Sequence, residues 1–152
     1  MILFVEGRYI VKEKIDKVLD FLYDNLGMVI YVAAWIAMIW FFWAKVSGSD
    51  GFAYGLFTLY LIFPFCSFAV ALYHGLGERK IKFYLPLICG LLEMMIQFCT
   101  FDLANRLSVG KWTLPDWSDL QLALYSLIPA LFGLGIGSLV RYIRKTAAVK
   151  KK

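Results

Sequence analysis

The chain has 152 residues, 61% of them hydrophobic and 18% aromatic, with 16 Lys and Arg against 11 Asp and Glu for a net charge of +5. A soluble domain is nearer half apolar, so a mean hydropathy of +0.70 excludes an ordinary cytosolic globule, a disordered tail and a secreted disulfide scaffold. No basic stripe interleaved with aromatics is present, which argues against nucleic acid as a partner.

In chain order, MILFVEGRYI has too short an apolar run, with Glu6 and Arg8 behind it, to be expected as a secretory signal. Val11, Ile15, Val18, Leu22 and Leu26, with Leu19 beside them, then recur at helical spacing. Lys12, Glu13, Asp16, Lys17, Asp20 and Asp24 occupy the opposite face. Residues 1–25 are therefore expected to carry an amphipathic surface helix. Its four cations and four anions between Arg8 and Asp24 give weak attraction to anionic lipid. It either lies on the membrane or packs beneath a bundle or on a partner.

Four apolar stretches follow, each near the roughly 20 residues that a helix needs to cross the hydrocarbon. They cover residues 26–46, 52–73, 83–101 and 120–140. The runs are continuous, which excludes β-barrel strands. The expected fold is all-α, a four-transmembrane-helix bundle over residues 26–141, followed by a basic tail over 142–152. The connectors are SGSDG, HGLGERKIK and DLANRLSVGKWTLPDWSD. The last is expected to hug the outer interface around Pro115, with Ser118 or Asp119 capping the fourth span.

Charge orients the bundle. Arg8, Lys12, Lys14 and Lys17 precede the first span, Arg79, Lys80 and Lys82 lie in the middle connector, and Arg141, Arg144, Lys145, Lys150, Lys151 and Lys152 end the chain. These are 13 of the 16 cations; only Lys45, Arg106 and Lys111 fall on the other side. The positive-inside rule then puts both termini in the cytoplasm, in a multi-pass plasma-membrane protein. Trp40, Trp43, Tyr54, Trp112 and Trp117 at one boundary, and Tyr23, Tyr73, Tyr84 and Tyr142 at the other, match the interfacial preference of amphipathic rings.

Glu93 lies near the middle of the third span. Pro86, Gly90, Glu93, Gln97 and Thr100 step by three or four along one helical face. A charge at mid-bilayer costs on the order of 3 kcal/mol, so this stripe is expected to face inward. With no cation in the spans beside it, Glu93 is expected to be neutral and hydrogen-bonded. It is either a proton, cation or substrate site, or interhelical glue with Gln97. LYLIFP at Leu59–Pro64 and LYSLIP at Leu124–Pro129 place a proline at similar depth in the second and fourth spans. Each proline removes the amide partner of a carbonyl, at Tyr60 and Tyr125. Tyr60, Tyr125 and Ser126 therefore join Glu93 and Gln97 as the candidate intramembrane polar site. Paired broken helices are one mark of transporters, although the two hexamers share only three identities.

Gly133 and Gly137 form a small-xxx-small ridge, read as a packing seam within the bundle or as a face for a second copy. The single His74 has no ligand cluster around it, so no metal is expected. Cys66, Cys89 and Cys99 lie in apolar stretches and form no CxxC motif, so neither a disulfide framework nor redox relay is implied. Ser67 and Ser126 lack an adjacent histidine, and Asp102, Asp116 and Asp119 lack a base or metal partner, so no catalytic site and no cofactor are expected.

LIFPFCSFAVALYHGLG, the basic turn GERKIK, then FYLPLICGLL and FDLANRL together resemble uncharacterised small four-helix integral membrane proteins of Gram-positive bacteria, over Leu61 to Leu107. The resemblance implies a bacterial membrane protein and transfers no site residue. The sequence thus favours a non-enzymatic accessory, regulatory or immunity-like protein acting through helix contacts. Its partners would be the lipid bilayer and either another membrane protein or a second copy. The alternative is a small proton-coupled transporter or channel using Glu93.

Overall fold

The computed structural model describes residues 14–77, 80–110 and 117–149. Sequence readings that rest on Val11, Arg8, Lys12, Arg79, Lys111, Trp112, Pro115, Asp116, Lys150, Lys151 and Lys152 lie outside these residues. The described residues form five helices and no strand. They are α1 (14–24), α2 (Leu26–Lys45), α3 (Gly51–Leu76), α4 (Leu85–Val109) and α5 (Trp117–Val149). The last four are each long and apolar enough to cross a membrane. The protein is an all-α, multi-pass membrane bundle.

Lipid as solvent explains the surface. Large apolar side chains are exposed on every span, with Phe52 at 79%, Trp40 at 66% and Phe132 at 65%. In water such a surface would aggregate; against acyl chains it is satisfied. The α1 helix is a separate case. Ile15, Val18, Leu19 and Leu22 are all exposed, so the underside of the bundle does not cover its apolar face. A one-residue break at Asn25 joins it to α2, and the Asn25 side chain donates back to the Phe21 carbonyl at 2.8 Å.

Two helices outrun their expected spans. The third continues through Asp102 and Arg106 to Val109, a stretch expected to be loop. LANRLSV holds no Gly or Pro, and Gly110 stops the helix in the left-handed region at φ 73°, donating to the Arg106 carbonyl at 2.8 Å. The fourth begins by Trp117, which puts Ser118 and Asp119 inside it rather than at its cap, and runs without interruption across Pro129 to Val149. Most of the expected basic tail is thus helical. At the same end, Arg141 donates to the Gly77 carbonyl at 2.7 Å, tying α5 to the turn that leaves α3.

Prolines are handled in different ways. Pro86 sits in the first turn of α4, where no amide is missed. In α3 a π-helical turn over Thr58–Ile62 immediately precedes Pro64. In α5 no such turn accompanies Pro129. The expected pair of equivalent breaks is therefore a single widened turn in α3.

α3 and α5 run parallel and touch backbone to backbone. A Cβ on Gly133 would collide with the Phe68 carbonyl, one on Gly137 would lie 2.5 Å from the Leu72 oxygen, and one on Gly75 2.8 Å from the Leu134 oxygen. Gly133 and Gly137 thus lie against α3 of the same chain. Gly90 brings α4 equally close to Ala123. Gly135, on the opposite face of α5, has nothing within 4 Å. Gly133→Ala and Gly137→Ala should each destabilise the bundle by about 1–3 kcal/mol or more through overpacking, while Gly135→Ala should be neutral or mildly stabilising. Unfolding of the three variants in mixed micelles checks this; equal stability would break the assignment of the seam.

Candidate functional site: a buried polar cluster around Glu93

All four spans deliver a polar group to one buried region. Glu93 on α4 is fully buried, as are Ser67 on α3 and Ser126 on α5, and Tyr31 on α2 is 1% exposed. Cys89 lies one turn before Glu93 and is also buried. The Ser67 hydroxyl donates to the Pro64 carbonyl at 2.8 Å and is also 3.0 Å from the Ser126 carbonyl. Tyr31 reaches the Cys89 carbonyl and the Ser126 hydroxyl, both at a long 3.5 Å. Its ring meets Phe63 edge-on, with centroids 5.6 Å apart.

Glu93 is the odd member. Ser126, through its hydroxyl and its backbone, is the hydrogen-bonding neighbour of its carboxyl, although neither carboxyl oxygen makes a short, well-aligned hydrogen bond among the described residues. The neighbour that the sequence left unnamed for this acid is Ser126 on α5, not Gln97. An unsatisfied buried polar group is costly, so the surrounding packing must hold it in place.

α2 supplies much of that packing. The Trp35 indole donates to the Leu92 carbonyl at 2.7 Å, and Trp43 to the Cys99 carbonyl at 3.1 Å. These contacts are two turns apart on both helices, so they fix the register of α2 on α4. The second lands in the π-helical turn Phe98–Asp102, where the Thr100 hydroxyl also bonds to the Ile96 carbonyl at 2.7 Å.

Of the five residues expected to form the polar site, the structure brings Glu93 and Ser126 together. Gln97 lies one turn along α4, partly buried. Tyr60 and Tyr125 pair with each other, with centroids 4.8 Å apart, yet they are 48% and 46% exposed and face outward. A proline frees a backbone carbonyl four residues back; it says nothing about where that residue's side chain points. Tyr31, Ser67, Cys89 and Trp35 were missed. Only Cys89 carried a usable signal, its i, i+4 spacing from Glu93.

No three His, Cys, Asp or Glu side chains converge among the described residues. The cluster offers one carboxyl, three hydroxyls and a thiol in a dry interior. Such a set could hold a proton or a small cation. Comparisons with protein-family models, curated proteins and solved structures found no match to the chain.

Glu93 makes no short, well-aligned hydrogen bond, so Glu93→Gln should change bundle stability by less than about 1 kcal/mol, comparable with Ser67→Ala, which removes a cross-helix contact worth roughly 0.6 kcal/mol on average in membranes. Reversible unfolding in micelles measures both; a large loss for Glu93→Gln alone would restore the glue role.

Proposed function

We propose that this protein is a non-enzymatic accessory or regulatory subunit of a bacterial plasma membrane, immunity-like in kind, that works by helix contact with another membrane protein. The observation that carries this reading is the uncovered apolar face of α1, with Ile15, Val18, Leu19 and Leu22 exposed beside the membrane end of α2. A bundle whose interior is closed by glycine seams has spare binding surface at this end. The orientation has both termini in the cytoplasm, supported by the sided Lys and Arg distribution. A cysteine placed at Ser49 should then react with an impermeant thiol reagent from outside intact cells, in a background without the native cysteines, and one at Lys151 should not; the reverse pattern would invert the topology.

A second reading rests on a separate observation, the fully buried carboxyl of Glu93 with Ser126 beside it. It makes the protein a small proton-coupled transporter or channel, with Glu93 carrying the proton or cation. One pair of measurements separates the two. A photo-crosslinker at Leu22 should trap a discrete membrane protein in the native host, and the adduct should vanish in Leu19→Glu. Adducts with lipid alone would remove the subunit reading. In reconstituted vesicles the transporter reading requires proton flux that Glu93→Gln abolishes, and unchanged flux would remove it.

A further inference from the structure

Tyr60 on α3 and Tyr125 on α5 stand ring against ring on the outside of the bundle, 48% and 46% exposed. Tyr60 lies nine residues, roughly 14 Å, inward from the start of α3 at Gly51. Tyr125 lies eight residues, roughly 12 Å, inward from the start of α5 at Trp117. Half the hydrocarbon is about 15 Å thick, so both backbones are near mid-membrane, deeper than the interfacial tryptophans Trp40, Trp43 and Trp117. Tyr125 also adjoins Ser126, the neighbour of Glu93.

Gln121, one turn before Tyr125 on the same face of α5, is exposed as well. None of these three side chains makes a hydrogen bond among the described residues. Acyl chains offer them no partner, whereas Tyr31, Ser67 and Ser126 are turned into the bundle. Further along the same face, Ile128, Phe132 and Ile136 edge an open apolar groove of about 470 Å³. A contact begun at the polar patch therefore has packing surface on which to continue.

We propose that this face, centred on Tyr125, docks a second copy of the chain. Copies inserted the same way up are related by a two-fold axis along the membrane normal, so each group meets groups at its own depth. A tyrosine hydroxyl and a glutamine amide each donate and accept, and such groups at matched depth satisfy their own copies. A different membrane protein would have to carry matching polar groups at both depths. The patch lies at the opposite end of the bundle from α1, so this dimer is independent of the α1 reading of function.

The test is native mass spectrometry of the full chain in mild detergent across a range of protein concentration. The wild type should dimerise. Tyr60→Phe combined with Tyr125→Phe, which removes only two exposed hydroxyls, should weaken the dimer by about tenfold while thermal unfolding of the bundle stays unchanged. Adding Gln121→Leu should weaken it by about a further threefold. Leu19→Glu, on α1, should leave it unaltered. In the native host, a photo-crosslinker at Ile128 should give an adduct of twice the chain mass, and one at Ile36, exposed on α2, should not. A wild type that is monomeric at every concentration would overturn the proposal. So would a dimer as tight in the triple variant as in the wild type, loss of the dimer in Leu19→Glu, or an Ile128 adduct with lipid alone or with a different polypeptide.

Discussion

The backbone contact between α3 and α5 is the constraint on which the remaining geometry depends. In lipid an apolar side chain gains little by turning inward, so helices associate through close packing and hydrogen bonds. Gly75 on α3 and Gly133 and Gly137 on α5 remove the side chains that would hold the two backbones apart. Contact at that distance permits one register. In it the Ser67 hydroxyl reaches the Ser126 carbonyl, and Ser126 is held beside Glu93. A second close approach, Gly90 against Ala123, fixes α4 on α5 from the other side. Small residues with no polar group of their own thus decide the cluster's composition.

The cluster is also a cost that the packing must carry. An acid at this depth opposes insertion by about 3 kcal/mol on the lenient scale, and here it has Ser126 beside it but no short, well-aligned hydrogen bond among the described residues. Compensation comes from the neighbours. Trp35 and Trp43 satisfy α4 carbonyls across the α2 interface, and Tyr54 does the same for the Met38 carbonyl at 2.9 Å. These aromatic donors pair a large ring with a polar edge, so each ties two helices together near the acid.

The spans were legible because a 20-residue apolar run has few alternatives. The inward turn of Glu93 was legible too, since its stripe was the one polar face in that run. What remained hidden depends on how helices meet. Tyr31 and Ser67 sit in apolar stretches, and only the register of α2 and α3 against α5 shows that both meet Ser126. Gly133 and Gly137 announced a seam, but not that α3 would fill it. The outward reach of α4 was masked by Asp102 and Arg106. Their charge suggests loop, yet an interfacial helix tolerates both. Tyr60 and Tyr125 were drawn in by a backbone argument that does not extend to their rings.

The widened turn in α3 lets one helix bury polar groups at two depths. An α-helix advances about 100° per residue, so Thr58 and Ser67, nine apart, would point in opposite directions on a regular helix. Both are buried, at 1% and 0% exposure. The π-helical turn Thr58–Ile62 takes up one extra residue and reduces their separation to roughly 80°. Pro64 follows at once and cannot donate the bond that a regular turn would need from it, so the sequence favours the extra residue at that point. One local distortion therefore lets a single helix bury Ser67 against α5 and Thr58 toward α2. A regular α3 would have to expose one hydroxyl to lipid in order to bury the other.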